Sequence, residues 1–373
     1  MSESIQTRFI SHNDNPQQSL IPNLERLLPS STPLLRRIQY DTAQPRNTAR
    51  YLTTANLTET VQNDDPWLAA YVDLFAGRET QVWVYSSLEA EVMNGDDNSD
   101  DEKISSFEGL SEHKQATARH QFRDLLYFIN QELMPSYLSH LSTQEAKIEV
   151  TPPSQNVIPL HVPPAILLGS LHTGLMQLLF SNGSYTNPEI PSGLKVHRYD
   201  VTPYAKYVFG PDVFQTAGGR DHPLPSGYYY GKEGLRPEHV ELVRSRTHIP
   251  REPHTLLSMP SVVIYESQNT TAEDNCDGDG NAPIAWGFLG FDGSLVTLHV
   301  EPEHRGKGLA ITLSKAIMRK GMEDGKYGDI MPHLTSTHAD VARTNQASRR
   351  VMEKVGGRGW MWTVTWTVIE VVD

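Results

Sequence analysis

Cysteine is almost absent: Cys276 stands alone among 373 residues, which excludes an internal disulfide and fits a reducing compartment. Positive charge is short as well. The 32 Lys and Arg face 45 Asp and Glu, for a formal net charge of -13, and no basic segment stands out. That balance argues against a nucleic-acid partner, whose phosphates would need neutralising. An acidic surface suits cationic amines and plain solubility equally well. Long apolar runs are missing too: the nearest, residues 165–180, is too short for a membrane span and contains His172 and Gln177. Fifteen histidines beside one cysteine make no metal-ligand pattern, and no His-Glu-x-x-His occurs, so no metal is expected. The opening residues have neither the apolar core of a secretion signal nor the basic amphipathic face of a transit peptide, and the final Val-Val-Asp is no retrieval signal. The cytoplasm is the default compartment. The length suggests two domains.

What is present centres on residues 295–310. Leu295 to Val300 are β-branched or aliphatic at almost every place and read as a buried strand, which Pro302 ends. Arg305-Gly306-Lys307-Gly308-Leu309-Ala310 then opens a helix whose Leu309, Leu313, Ala316 and Ile317 share one face. A strand end, a glycine-rich turn and a helix N-terminus together leave backbone N–H groups free and present the positive end of a dipole. Such a turn can cradle a pyrophosphate.

This run resembles the acyl-CoA signature of the GNAT superfamily of N-acyltransferases, Gln/Arg-x-x-Gly-x-Gly/Ala after a strand ending in Val-x-Pro. The matching residues are Arg305, Gly308 and Ala310, with Val300 and Pro302 upstream. Asn345-Gln346-Ala347-Ser348, followed by Glu353-Lys354-Val355-Gly356, resembles the second signature, an Asn-led helix ending in Lys-x-Gly-Phe. The resemblance implies an α/β fold of mixed, twisted sheet with helices on its faces. The order of elements before residue 223 bears a fainter likeness to the amino-terminal half of the glycine N-acyltransferase group, although no Arg-Gly-x-Gly turn exists there. Tandem GNAT-like lobes are therefore expected, a degenerate one over residues 1–222 and one with the acyl-CoA signature over residues 223–373.

Along the chain, the Ser-, Asn-, Gln- and Pro-rich residues 1–30 read as a mobile or loosely docked arm. Residues 81–85 form a strand candidate, and the acidic residues 94–102 an exposed loop. A helix is expected over residues 113–133, stopped by Pro135, and another from Pro163-Pro164 to about Phe180. Residues 195–201 suggest a strand. Gly227 to Lys232 is one residue short of a Walker spacing, and no Ser or Thr follows it. In the carboxyl-terminal half we expect strands at 228–230, 261–265 and 284–289, with a helix at 236–243 directing Val240 and either Val243 or Leu242 inward. Asp277-Gly278-Asp279-Gly280 suggests a calcium loop, but Ala282 and Phe288 fall at its sixth and twelfth positions, so a solvated hairpin loop is the better reading. Asp292-Gly293 turns into the central strand. A short strand at 333–337, a helix at 344–354 and a terminal strand with one apolar, Trp-rich face complete the pattern.

The resemblance also assigns chemistry. The backbone of Leu298 or Val300 would polarise a thioester carbonyl, the strand including His299 would hold the pantetheine arm, and the amides of Arg305 to Ala310 would take the diphosphate, with Lys307 as an outer contact. Asn345, with Ser348 in its motif, would reach the pantetheine or the incoming amine; capping its own helix is an equally good role. Two places depart from the family pattern. Ser294 stands where many relatives carry a glutamate base, and Met352 where many carry a tyrosine acid. Asp292, a turn residue that could also accept a proton through water, and His338 are the candidate replacements, with bulk water as a further route. The function implied is acyl-CoA-dependent transfer to an amine, most simply acetyl from acetyl-CoA to a small-molecule amine. A bulkier acyl group passed to an amino acid, or a CoA-binding protein without catalysis, are the alternatives.

Overall fold

A computed structural model describes residues 7–57, 65–77, 79–93, 105–144, 158, 161–214, 222–267, 282–328, 335–357 and 362–372. The acidic run 94–102, the loop 269–281 with Cys276, and Trp360 lie outside them. Segments rich in Val, Leu, Ile and aromatic residues form the strands β1 (Ile10–Ser11), β2 (Arg50–Thr53), β3 (Leu68–Val72), β4 (Val82–Ser86), β5 (Ile166–His172), β6 (Leu194–Tyr199), β7 (Tyr204–Phe209), β8 (Tyr228–Tyr230), β9 (Ser261–Glu266), β10 (Ala285–Leu289), β11 (Leu295–Val300), β12 (Thr337–Ala342) and β13 (Thr363–Val371). They make two sheets. One runs β1-β2-β3-β4-β5-β13-β7-β12 with β6 also on β13, and the other β11-β10-β9-β8. Most pairs are antiparallel, but β4 and β5 run parallel and meet at Val82 and Leu168.

Two strands cross between the halves. β7 follows β6 in sequence yet pairs along its length with β12, from Thr337 opposite Phe209 to Ala342 opposite Tyr204. β13, from the far end of the chain, lies against β5, β6 and β7. Each half is thus completed by a strand from the other. Helices Glu112–Phe128 and Thr173–Leu179 bury Phe122, Leu125, Leu175 and Leu179 on one face of the large sheet. Helix Thr32–Ala43 and the segment before it cover another part of that sheet with Leu24, Leu35 and Ile38. Helix Leu309–Glu323 packs Leu313, Ala316 and Ile317 among residues of β7, β9, β10 and β12.

Several expectations are corrected by packing. Residues 10–25 are not an arm: β1 pairs with β2, the His12 Nε2 lies 2.9 Å from Thr53 Oγ1, and Leu20 and Leu24 are fully buried. Pro135 does not end its helix. A π-helical turn, Ile129–Leu133, precedes a further helix, Met134–Gln144, so the proline falls in a new first turn where its missing N–H leaves no gap. The run after Pro164 begins as strand β5, buried at every position, with a helix only from Thr173. A short, wholly apolar run fits a buried strand or a buried helix, and only its neighbours β4 and β13 decide. β12 starts where a strand was expected to stop. β13 is buried on both faces, with Thr365 and Thr367 at 0% exposure, because it is an inner strand. Val240 and Val243, not Leu242, are the buried residues of helix Val240–Ser245. Among the described residues no helix is long and apolar enough to cross a membrane.

Glu89, in helix Leu88–Met93, is buried with its Oε1 accepting from Ser86 N at 3.0 Å. Burial pushes its carboxyl up from 4.5 to about 8, although the Ser86 N–H and the Lys206 charge pull the other way. The folded state therefore keeps a proton that the unfolded chain releases. This favours folding fully below about pH 4.5 and is lost as pH climbs towards 8. Thermal midpoints measured across that window should fall more steeply for the wild type than for Glu89→Gln; parallel curves would contradict this assignment.

Candidate active site

The site is built on a parting of strands. β11 is laddered to β10 on one side, but on the other it meets β12 only at a parallel bridge between Ser294 and His338, with His338 N donating to Gly293 O at 3.3 Å. Beyond that bridge the two strands belong to different sheets. The register of β11 against β10 shifts between Trp286 and Phe288, and Thr297 there takes φ 51°, a costly conformation for a β-branched residue. Such a bulge bends its strand. A Cβ on Gly287 opposite it would lie 2.5 Å from Ile317 Cδ1, so that side chain would have to shift to admit one. Val300 O faces the open side and accepts from Arg305 Nε at 2.9 Å, and strand alternation places the Leu298 backbone on the same edge.

After β11 a 3-10 turn, Pro302–His304, leads to Gly306 at φ 77° and Gly308 at φ 81°. Gly308 is the N-cap of helix Leu309–Glu323 and offers no side-chain cap. A Cβ on either glycine would meet nothing within 4 Å, so both are needed for backbone conformation and leave open space in front of the turn. Among the described residues, the N–H groups of Gly306 to Ala310 donate to no backbone carbonyl. They border a cavity of about 530 Å³, together with Leu298, His299, Val300, Arg305, Asn345 and Ser348. His304, Arg350 and Lys354 add basic groups to the same wall. A helix N-terminus, free amides and several cations suit a diphosphate. Asn345 Oδ1 accepts from Ser348 N at 3.0 Å and so caps helix Gln346–Val355. Lys307 is turned away from the cavity: its Nζ donates to Tyr228 Oη at 2.6 Å. The His299 ring stacks on Trp286 at 4.6 Å, and burial lowers its pKa while Glu301 opposes the shift.

At the start of β11 lies a smaller recess of about 70 Å³, walled by Asp292, Ser294 and Val296 with Arg251, Glu79, Arg37 and Trp366. Asp292 Oδ1 accepts from Ser294 Oγ at 2.5 Å and from Ser294 N at 3.2 Å. The carboxylate thus closes the turn and borders the recess at once. His338 is fully buried and walls neither cavity. Its Nδ1 receives Lys206 Nζ at 3.0 Å, which puts the ring proton on Nε2, 3.1 Å from Asp292 O. Lys206 also donates to Ser170 Oγ at 2.9 Å and to Asp340 Oδ1 at 2.6 Å. Burial alone would raise the Asp340 carboxyl, but the Lys206 ammonium holds it well below the usual range. Met352 is 2% exposed and packs in the core rather than in the cavity.

Sequence reasoning missed the amino-terminal contributors to this region, Arg37, Arg46, Glu79 and Trp83, and the Lys206–Asp340 pair. The one available signal was the Arg36-Arg37 pair next to Leu34, Leu35 and Ile38, since buried charges need a partner or a purpose.

Residues 6–207 match the family model described as the acyl-CoA N-acyltransferase verG N-terminal domain. The chain belongs to this acyl-CoA N-acyltransferase family. Residues 275–367, which hold the glycine-rich turn and both cavity helices, match the FR47-like family model. The architecture is that of two GNAT-like lobes sharing the exchanged strands β7 and β13. An X-ray structure of a Drosophila protein has the same fold, at 15% identity and a TM-score of 0.51 over 98% of both chains. A tandem GNAT protein from the clavulanic acid biosynthesis pathway is 11% identical, with 96% of this chain and 97% of that one covered at a TM-score of 0.38. A GCN5-related N-acetyltransferase from Sphaerobacter thermophilus is 11% identical over 97% and 95% of the two chains, also at 0.38. No curated protein is significantly similar in sequence.

Removing the cap of the second cavity helix should have a defined cost. Asn345→Ala is expected to lower the unfolding free energy by about 1 kcal/mol, read from the denaturant midpoint. An unmoved midpoint would mean that the Ser348 N–H is satisfied in some other way.

Proposed function

We propose that the chain transfers an acetyl group from acetyl-CoA to the amine of a small molecule by direct attack in a ternary complex. The observation that carries this reading is the open edge of β11 running into an uncapped helix N-terminus, both facing the same 530 Å³ cavity. In this reading the amides of Gly306 to Ala310 take the diphosphate, with Arg305, Arg350 and Lys354 supplying countercharge. The pantetheine arm lies along β11 past His299, where the backbone N–H of Leu298 or Val300 polarises the thioester carbonyl. Asn345 and Ser348 close the far wall. Residues 223–373 would carry this chemistry and residues 1–222 shape the acceptor side. On sequence grounds the cytoplasm is where we place the reaction.

The amine nitrogen attacks the thioester carbon, the C–S bond breaks and coenzyme A leaves as a thiolate. Asp292 takes the proton from the amine, directly or through Ser294 or a water, and bulk water reprotonates the thiolate. A buried Met352 can do neither. His338 acts by holding Asp292 in place through its backbone carbonyl. Thioesters are already activated, so positioning can supply much of the rate.

Titration with coenzyme A and amine-dependent thiol release from acetyl-CoA test this directly. Retention of coenzyme A without turnover on any amine would leave only a binding protein. Gly308→Val should weaken coenzyme A binding by at least about tenfold, because a β-branched residue resists positive φ and its side chain enters the diphosphate space. Asp292→Asn should lower kcat by about a hundredfold while coenzyme A affinity holds, the size expected when a general base is lost; an unaffected kcat would assign the proton to water.

A further inference from the structure

We infer that Lys206 is a positioning residue for proton transfer: by donating to His338 Nδ1 it keeps that ring neutral with its one proton on Nε2, so that Asp292 is gripped at its carbonyl and no imidazolium forms beside its carboxylate. The consequence for catalysis rests on the acyl-transfer reading; the state of the ring does not. Lys206 is 0% exposed, and its ammonium meets three acceptors with three protons: Asp340 Oδ1 at 2.6 Å, Ser170 Oγ at 2.9 Å and His338 Nδ1 at 3.0 Å. Ser170 of β5 is held at φ 50°, an unfavourable conformation outside glycine, and its hydroxyl donates in turn to Asp340 Oδ2 at 3.2 Å. The Lys206 and Asp340 charges cancel, so the cluster is neutral only while the ring is.

An ammonium can donate to Nδ1 only while that nitrogen keeps its lone pair. A second ring proton would set N–H against N–H at 3.0 Å and leave a net positive charge among buried groups. The proton that the ring does carry, on Nε2, points to Asp292 O at 3.1 Å, with Asp292 Oδ2 3.7 Å from the same nitrogen. An imidazolium there would stabilise the carboxylate and make it a poorer base. The neutral ring holds the turn without that effect. The other charged and titratable groups nearby leave this arrangement intact. Arg36, of helix Thr32–Ala43, gives Nε to Ser336 O at 2.9 Å and Nη1 to Gln39 Oε1. Burial holds Glu89, which Lys206 acts on, protonated to about pH 8, and holds the Tyr327 hydroxyl near Asp292 well above its ordinary range. Lys206 lies on β7 and Asp292 ahead of β11, so a residue of the amino-terminal half sets the charge beside the proposed base of the other.

The test pairs Lys206→Met with the double variant Lys206→Met/Asp340→Asn. In the single variant the buried Asp340 carboxylate has lost its ammonium, and the balancing proton goes to His338 Nδ1, 3.6 Å from Asp340 Oδ2. In the double variant no charge needs balancing, and the amide introduced at position 340 can donate to Nδ1 instead. Nitrogen-15 spectra of the histidine-labelled full chain, with His338 assigned through His338→Gln, should show one ring proton, on Nε2, from about pH 7.5 to 6 in the wild type and the double variant. Lys206→Met should show two at the lower end. Thiol release from acetyl-CoA, with tyramine, putrescine and glycine as amine probes, gives the second readout. Relative to the wild type, kcat of Lys206→Met should fall roughly tenfold at about pH 6 and recover as pH rises, while the double variant stays within about threefold throughout. A packing defect would lower kcat alike at every pH, so a Lys206→Met profile parallel to the wild type would overturn the inference. So would a wild-type His338 carrying its proton on Nδ1, or two protons at pH 6. If Lys206→Met does not fold, the wild-type and double-variant spectra decide. If no amine turns over, the acyl-transfer reading fails, and the wild-type spectrum alone retains or overturns the assignment of the ring.

Discussion

Two parallel strands that touch at a single bridge, Ser294 against His338, are the constraint on which the rest of the molecule turns. A parallel pair normally continues for several residues and hides its edges. Here the bulge at Thr297 bends β11 away, and the edge it frees would be a liability unless something else used its backbone groups. The turn through Gly306 and Gly308 brings a helix N-terminus to the same opening. Backbone polarity that elsewhere closes a sheet is thereby turned towards a ligand space.

Holding such a wedge open requires rigidity behind it, and the exchanged strands supply it. β12 does not lean on β11; it is laddered instead to β7, from the other half of the chain, and β13 locks β7 to the amino-terminal sheet. The buried Lys206 on β7 bonds Asp340 and His338 on β12, and His338 in turn reaches the carbonyl of Asp292. A buried ion pair of this kind adds little net stability against a well-packed apolar pair, yet removing one member leaves an uncompensated charge. It is therefore suited to fixing register between the halves. Both halves contribute walls: residues 298–310 border the larger cavity, while Arg37, Arg46, Glu79 and Trp83 border the smaller recess.

The departures at Ser294 and Met352 acquire a physical setting from the same geometry. Ser294 sits at the bridge and gives its hydroxyl to Asp292, whose carboxylate borders the recess. Met352 faces the core, where a tyrosine hydroxyl would need a partner.

The sequence by itself determined the glycine-rich turn and the strand and helices around it. Leu295 to Ala310 and Asn345 to Ser348 are local patterns, and strand ends, positive-φ glycines and helix caps are short-range consequences of residue type. The strands at 228–230, 261–266 and 285–289 were legible for the same reason. Tertiary structure alone decided the walls of the recess beside Asp292 and the connectivity. Residues 166–172 could be strand or helix until β4 and β13 flanked them, Pro135 fell harmlessly only because a π turn reset its register, and β13 could have completed either half. Lys206 and Asp340 carry no local signature, because each buried charge acquires its meaning from a partner 134 residues away. Chain distance hides such pairings from any reading of spacing, and only the packed fold brings them within reach.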